Sequence, residues 1–338
     1  MPHGSARRRE LIEAIDGYYA ALILDGLHRA GVLRTLRAGG TVASIARRLG
    51  LDRRTLSNLL AFLAMRSTVV AAAGRRRGGR PERYALAPSF DLSRAEHLLD
   101  QYVGAYGPCL RALPQILTVP RRGERLVDRA RHADAFAGGR APVELVSAIE
   151  AFGVRGLLDL GCGGGQVLGT LARSHEDFTG IGVDANVHMV RRARRSMTAE
   201  GLSRRVTIRH GDLRGIARLV SRGRRRSIDA VSAASVANGL FGGDAKGIDR
   251  LLGSLRRLFP QRLLFLSDYY SRLHERGDAD DWTRTLVHDV AQVVSGQGTP
   301  PRRLKEWQTI YRRNRVTLLQ SIARTDDGVS WFVHVVQL

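Results

Sequence analysis

Cysteine is almost missing from these 338 residues. Cys109 and Cys162 are too few for a disulfide framework or a zinc cluster, so both read as reduced thiols. No apolar run approaches the ~20 residues of a membrane span, which excludes a transmembrane protein. No secretory pattern shows at the start, MPHGSARRRELIEAIDGYYAALILDG, where Glu10, Glu13 and Asp16 fall inside an amphipathic stretch; the expected location is cytoplasmic. Lysine is also scarce. Lys246 and Lys305 are the only two, so the formal charge of +22 rests on arginine scattered through the chain. That charge admits an anionic partner, but scattered arginine equally reflects a GC-rich genome, and neither nucleic acid nor a membrane is the expected partner.

What is present suits a globular protein of two domains: 43% hydrophobic and 25% charged residues. Apolar positions at helical spacing (Leu11, Ile15, Tyr18, Tyr19, Leu22, Ile23, Leu27) predict two helices over 10–38, with breaks near Gly31 and Gly39–Gly40. Thr41 can cap a short helix that Gly50 closes, and Asp52 can cap a second through Met65. The stretch after it predicts a β-hairpin with its loop at 74–81, so residues 1–92 take the pattern of a winged helix. As a DNA-binding module it would use Arg53, Arg54 and Arg75 to Arg77 against phosphate. Yet its second helix carries Leu56, Leu59, Leu60, Phe62, Leu63 and Met65, more apolar circumference than one buried stripe requires. A dimerisation domain whose extra apolar faces meet a second copy fits better.

Residues 93–142 form a helical connector broken at Gly107–Pro108, Pro114 and Pro120. From 143 to 338, strand patterns alternate with helices: GLLDLG, TGIGVDA, RVTIRHGD, IDAVSAAS, RLLFLSDYY, VTLLQSIA and SWFVHVVQL. Alternation of this kind predicts an α/β fold, a Rossmann-like sheet of seven strands with helices on both faces. The last two strands, joined through Asp326, Asp327 and Gly328, should pair as an antiparallel hairpin at the sheet's edge.

The first of these strands runs from Leu157 through Asp159 into Gly161-Cys162-Gly163-Gly164-Gly165 and opens a helix. Glycines there let a ligand approach the backbone, and the new helix offers free N–H groups. The second strand ends at Asp184, where a carboxylate can accept both ribose hydroxyls of a nucleoside. The third ends at Asp212–Leu213, so three successive strand ends line one crevice. Cys162 lies inside the loop without a basic partner and is not a nucleophile candidate.

The Asp159-x-Gly161-x-Gly163-x-Gly165 pattern resembles the class I S-adenosylmethionine-dependent methyltransferases. The resemblance implies that Asp159, Gly161, Gly163 and Gly165 surround the methionine part, that Asp184 binds the ribose, and that Asp212 and Leu213 meet the adenine, with Ser235 after the fourth strand completing the cofactor set. A dinucleotide-binding dehydrogenase competes, but G-C-G-G-G departs from G-x-G-x-x-G.

The whole layout is similar to small-molecule methyltransferases with an N-terminal winged-helix dimerisation domain, which implies a homodimer. Their O-methylating members place His-Asp-Trp after the fourth strand, with the histidine as base. This chain has Ser235-Val236-Ala237-Asn238-Gly239, and an amide takes up no proton near neutrality. His288–Asp289, the stretch from Gln292 to Gln297, and Asp268–Tyr269 instead resemble C-methyltransferases of 2-oxo acids, the 2-ketoarginine and phenylpyruvate type. Some of those hold iron through two histidines; only His288 of that pair is kept here.

The expected reaction is therefore methylation at C3 of an amino-acid-derived 2-oxo acid, 2-ketoarginine leading, with His288 removing the β-proton. Substrate contacts are expected from Asn238, Asp268, Tyr269, Asp289, Gln292 and Gln297. Asp280 and Asp281 are further carboxylates for a guanidinium tail. Tyr102 and Tyr106 are candidates to close over the substrate, against the plainer reading as core aromatics. An O-methyltransferase of a natural product is the alternative, and a DNA-binding regulator a third reading.

Overall fold

The computed structural model describes all residues except 1–2, 67–69, 74–82, 243–245, 276–282 and 327. The expected hairpin loop at 74–81, Arg75 to Arg77, Asp280, Asp281 and Asp327 therefore lie outside the described residues. The chain divides into two compact units, Met1–Gly107 and Pro108–Leu338, and the division falls inside the stretch expected as a connector.

In the first unit, helices His3–Arg29 and Val32–Leu36 are separated at Gly31, whose φ of 76° ends the first turn sequence in the left-handed region. Thr41 caps helix Val42–Leu49 by accepting from Ser44 N–H, and Gly50 closes it at φ 64°. Asp52 accepts from Thr55 N–H at 2.7 Å ahead of helix Arg53–Arg66. Strands β1 (Gly40–Thr41), β2 (Val70–Ala73) and β3 (Arg83–Leu86) form a small antiparallel sheet with β3 central. Leu56, Leu60 and Leu63 face one core with Leu33, Leu36 and Ile45, whereas Leu59 and Phe62 are half-buried and Met65 is 87% exposed. The long first helix leaves Leu11, Ile12, Ile15, Tyr18 and Tyr19 in solvent.

The second unit opens with short helices. Pro114 sits in the first turn of Leu113–Thr118 and Pro120 starts a 3₁₀ turn, positions where a missing N–H costs nothing. The sheet follows: β4 (Gly156–Leu160), β5 (Thr179–Asp184), β6 (Val206–His210), β7 (Ala230–Ala234), β8 (Leu263–Tyr269), β9 (Thr317–Asp326) and β10 (Val329–Gln337). Their order is β6-β5-β4-β7-β8-β10-β9, parallel through β8, with β10 antiparallel to both β8 and β9. All seven expected strands are present, and the terminal hairpin pairs as expected, with β9 outermost. Strand β4 is buried along its whole length because it is central and covered on both faces. Two apolar clusters flank the sheet, one around Leu158, Leu252 and Trp307, the other around Leu157, Leu168 and Phe265.

Inside the first cluster lies a polar thread. His334 of β10 is fully buried, with Nε2 3.1 Å from the Tyr270 hydroxyl and Nδ1 2.8 Å from that of Tyr311. A neutral imidazole donates at one nitrogen and accepts at the other, so two tyrosines satisfy it without charge. Burial pushes its pKa down to about 3. Unfolded, the same ring takes a proton near pH ~6.5, so the unfolded chain binds the extra proton in between and stability falls as pH drops through that window. Relative to a His334→Gln variant, wild type should lose about 1.4 kcal/mol more unfolding free energy per pH unit between pH 6 and 4. Urea unfolding at fixed pH reads this, and parallel pH curves for the two proteins would refute it.

Candidate active site

Strand order reverses between β4 and β7, which opens a crevice beyond their carboxyl ends. The loop leaving β4 is pinned to β5, as Gly161 N–H and Cys162 N–H both donate to the Val183 carbonyl at 2.8 and 3.1 Å. Gly161, Gly163 and Gly165 adopt φ of 65°, 53° and 81°, the left-handed region where a side chain is strained. At Gly161 a side chain would also have to displace Val236: its Cβ would fall 2.3 Å from Val236 Cγ2. Gly165 then precedes helix Gln166–Ser174 with no side-chain cap on the first turn.

Asp184, half-buried at the end of β5, accepts from Gly163 N–H at 2.9 Å and from Asn186 N–H at 2.7 Å. Burial raises its pKa, opposed by these two backbone donors and by Arg129 and His210. Asp159 lies within β4 and is 1% exposed. Ser232 on β7 donates its hydroxyl to Asp159 Oδ1 at 2.7 Å, across the register that pairs these two residues. Burial pushes Asp159 up to about 7, against the Ser232 hydrogen bond and with the Asp184 charge adding to it. Ser232 was not anticipated, although a lone hydroxyl in the strand AVSAA was its available signal. Asp212 follows β6 in an exposed position and its carbonyl accepts from Gly215 N–H, while Leu213 packs half-buried against the first apolar cluster. Ser235 holds φ 52°, rare for a side-chain-bearing residue, with its N–H donated to Ser267 O at 2.8 Å.

The residues expected on the substrate side gather around the ends of β7 and β8. Asn238 is 4% exposed in the 3₁₀ turn Ala237–Leu240, and its Oδ1 accepts from Gly239 N–H at 2.8 Å. Asp268 is fully buried and accepts from Asn238 N–H at 3.1 Å and Tyr269 N–H at 2.9 Å; burial raises it to about 7 despite these donors and that of Ala237. Asp289, also fully buried, accepts from the Tyr269 hydroxyl, the Ser271 hydroxyl, Arg272 N–H and Leu273 N–H at 2.8, 3.0, 2.8 and 3.0 Å. The half-buried His288 ring meets Tyr269 edge to face, with centroids 4.8 Å apart. Gln292 Nε2 lies 3.2 Å from His288 Nε2. Gln297 reaches the same area, its Oε1 3.9 Å from where a Gly239 Cβ would stand, and Gly298 and Phe241 press backbone to backbone.

Tyr102 and Tyr106 belong to the first unit. Their rings lie 6.4 Å apart along the π-helical segment Leu99–Ala105 and its end, Tyr102 half-buried and Tyr106 2% exposed. A cavity of about 700 Å³ shares Gly164 and Gly165 with the loop and is otherwise lined by residues such as Arg140, Glu150, Gln166, Arg173 and Glu200. Arg173 and Glu200 pair with each other there. Among the described residues, no group of three or more His, Cys, Asp or Glu could hold a metal.

The crevice fits the S-adenosylmethionine that the motif implies. Asp159 Oδ2 is a buried acceptor with no donor, which costs about 1–3 kcal/mol and would be relieved by an ammonium group. Asp184 retains lone pairs for a ribose diol, and Gly161, Gly163 and Gly165 hold a left-handed φ that a side chain would strain. Gly161→Ala and Asp184→Ala should each weaken S-adenosylhomocysteine binding by at least about tenfold, or 1.4 kcal/mol, in calorimetric titration. Wild-type affinity in folded Gly161→Ala would remove the crevice from consideration.

A family model described as a methyltransferase domain matches residues 157–257, from β4 to the helix Gly247–Leu258. Methyltransferase ungE' of Aspergillus campestris (strain IBT 28561) is 28% identical over 166 residues, 47% of this chain and 46% of that protein. The chain thus matches about half the length of this curated relative. Among solved structures, the mitomycin 7-O-methyltransferase MmcR superposes with a TM-score of 0.70 at 17% identity, covering 99% of both chains. Human N-acetylserotonin methyltransferase in complex with S-adenosylmethionine gives 0.69 at 13%, covering 98% of this chain and 97% of that one. Identities this low speak to the fold, while the family match falls on the glycine loop and its three strand ends. Residues 157–257 of the chain thus match a methyltransferase domain, within a fold shared with these methyltransferases.

Proposed function

We propose that the chain transfers a methyl group to an oxygen of a small natural-product acceptor, with His288 as general base. The observation that carries this is the half-buried imidazole held against Tyr269 at the carboxyl end of β8, on the same sheet edge as the glycine loop. Imidazole is the side chain whose ordinary titration lies near neutrality, as removal of a hydroxyl proton requires. When bound, S-adenosylmethionine supplies an electrophilic methyl on a sulfonium; the chain's own part is to orient the acceptor and hold its proton. The name of the mitomycin 7-O-methyltransferase favours an oxygen as acceptor.

The 2-oxo acid reading comes second. It is favoured by the place of the base: Asn238 follows β7, and the histidine comes from helix Thr283–Val294. Its leading substrate, 2-ketoarginine, loses support. Asp268 and Asp289, expected to face the guanidinium, are fully buried and committed to internal donors. Asp280 and Asp281 lie outside the described residues.

The first unit is proposed as a winged-helix dimerisation domain, supported by the exposed row Leu11, Ile15, Tyr18 and Tyr19 on its long helix. Among the described residues no helix is long and apolar enough to cross a membrane. Light scattering should give twice the chain mass for wild type and the single mass for Ile15→Arg/Tyr19→Arg; a monomeric wild type would end the dimer reading.

Mass spectrometry of reactions with S-adenosylmethionine should show methoxy products from catechols or related phenols, reduced at least about a hundredfold by His288→Ala. A methyl gained only at C3 of 2-ketoarginine, phenylpyruvate or indolepyruvate would promote the second reading. Failure of both acceptor classes despite cofactor binding would sink both.

A further inference from the structure

Arginine that is scattered along the sequence is gathered by the fold. Residues 186–229, from helix Val187–Ala199 through β6 to the start of β7, hold thirteen arginines, no lysine and three acids. Strand β6 is an edge of the sheet, and arginines reach it from both sides. On one side Arg194 of the helix donates from Nε and Nη2 to the Ile208 carbonyl at 3.1 and 3.0 Å. On the other, Arg224 reaches the Thr207 hydroxyl at 3.4 Å, and Arg209 of β6 itself donates to the Leu219 carbonyl. These partners are neutral oxygens, so they fix the guanidinium groups without cancelling their charge. Arg191 and Arg195, one turn apart, share the outer face of their helix with Arg194, and Arg222 and Arg226 stand two positions either side of Arg224. All four are exposed, and among the described residues no carboxylate pairs with them. Two of the three acids are spent elsewhere: Glu200 pairs with Arg173, and Asp229 accepts from Arg155 N–H and Gly156 N–H. A ridge of uncompensated positive charge thus straddles the edge strand.

We propose that this ridge binds the phosphate backbone of duplex DNA without reading its sequence. The planar fork of a guanidinium matches two phosphate oxygens at once, and charge complementarity with a polyanion is what the ridge offers. A protein partner would look for apolar anchors at the centre of its contact, and among the described residues of 186–229 Val187, at 37%, is the only exposed large apolar side chain. A single strand would look for rings on which to stack its bases, and the stretch has no Phe, Tyr or Trp. Duplex RNA is recognised largely through its 2′-hydroxyls, which donate as well as accept, and guanidinium supplies no acceptor. An added β-strand is refused, because the Ile208 carbonyl already belongs to Arg194. The proposal is independent of the methyl acceptor, as none of these arginines has a role in the crevice.

Fluorescence anisotropy of a labelled DNA duplex of about 20 base pairs, titrated with the full chain, tests this. Wild type should bind with micromolar affinity near ~100 mM salt, equally for a scrambled duplex, and weaken at least about a hundredfold between about 50 and 200 mM, the fall expected when about four phosphates are neutralised. Arg191→Glu/Arg195→Glu/Arg222→Glu/Arg226→Glu should bind at least about tenfold more weakly with a shallower salt slope, while affinity for S-adenosylhomocysteine stays within about twofold. Arg257→Glu/Arg262→Glu/Lys305→Glu/Arg312→Glu, which makes the same change of charge at exposed positions outside the ridge, should lose no more than about threefold. Equal loss in the two variants, absence of binding by wild type, or tighter binding of duplex RNA or of phosphatidylserine vesicles than of the DNA overturns the inference. Should the first variant fail to fold, Arg191→Gln/Arg195→Gln decides it, a loss of at least about threefold supporting the ridge and wild-type affinity refuting it.

Discussion

The carboxylate of Asp289 holds the acceptor side of the crevice together. It draws donors from Tyr269, Ser271, Arg272 and Leu273, binding the exit of β8 to the helix that bears His288 and Gln292. A buried carboxylate without such donors would be costly, so its hydrogen bonds fix the spacing between strand end and helix. The Tyr269 ring is thereby held near-perpendicular to the imidazole, the planes 72° apart. Every chemical role given to His288 presupposes this clamp, although Asp289 itself offers no oxygen to a ligand.

The cofactor side is governed by exclusion of side chains. Three left-handed glycines bend the loop back over the sheet, and Val236 closes on Gly161 from the next strand's exit. Gly163 N–H, reaching Asp184, couples the loop to the end of β5, and Ser232 couples Asp159 to β7. The two acids differ in what they retain. Asp184 sits at the strand end with backbone donors, whereas Asp159 is enclosed within the sheet with one oxygen unpaired.

Much of the fold was legible because its signals are local. Thr41, Gly50 and Asp52 mark helix ends by capping chemistry, and the seven strands announced themselves as short apolar runs between turn residues. The glycine loop was legible for the same reason, as positive φ leaves a mark in composition. The internal service of Asp268 and Asp289 was not. A carboxylate looks the same in sequence whether it meets a ligand or a backbone N–H, and the partners of Asp289 stand 16 to 20 positions away. The pairing of Asp159 with Ser232 spans 73 positions and exists only once β4 and β7 are neighbours. Gln292 was expected to meet substrate, and its contact with the imidazole follows from helical geometry that became relevant only with the ring in place.

Strand β9 runs for ten residues with one flank paired to β10 and most of its side chains in solvent. Its other flank is a ladder of backbone donors and acceptors of unusual length for a sheet edge. Arg324, bound to Glu144 and Asp326, places charge on that strand, and the irregularity of the β10 register at Val335/Val336 breaks the regularity of the pair. These are the devices by which natural sheets resist strand addition and amyloid-like stacking. Colloidal stability of the chain at high concentration is thus guarded at its outermost strand, far in sequence from the residues that bind or react.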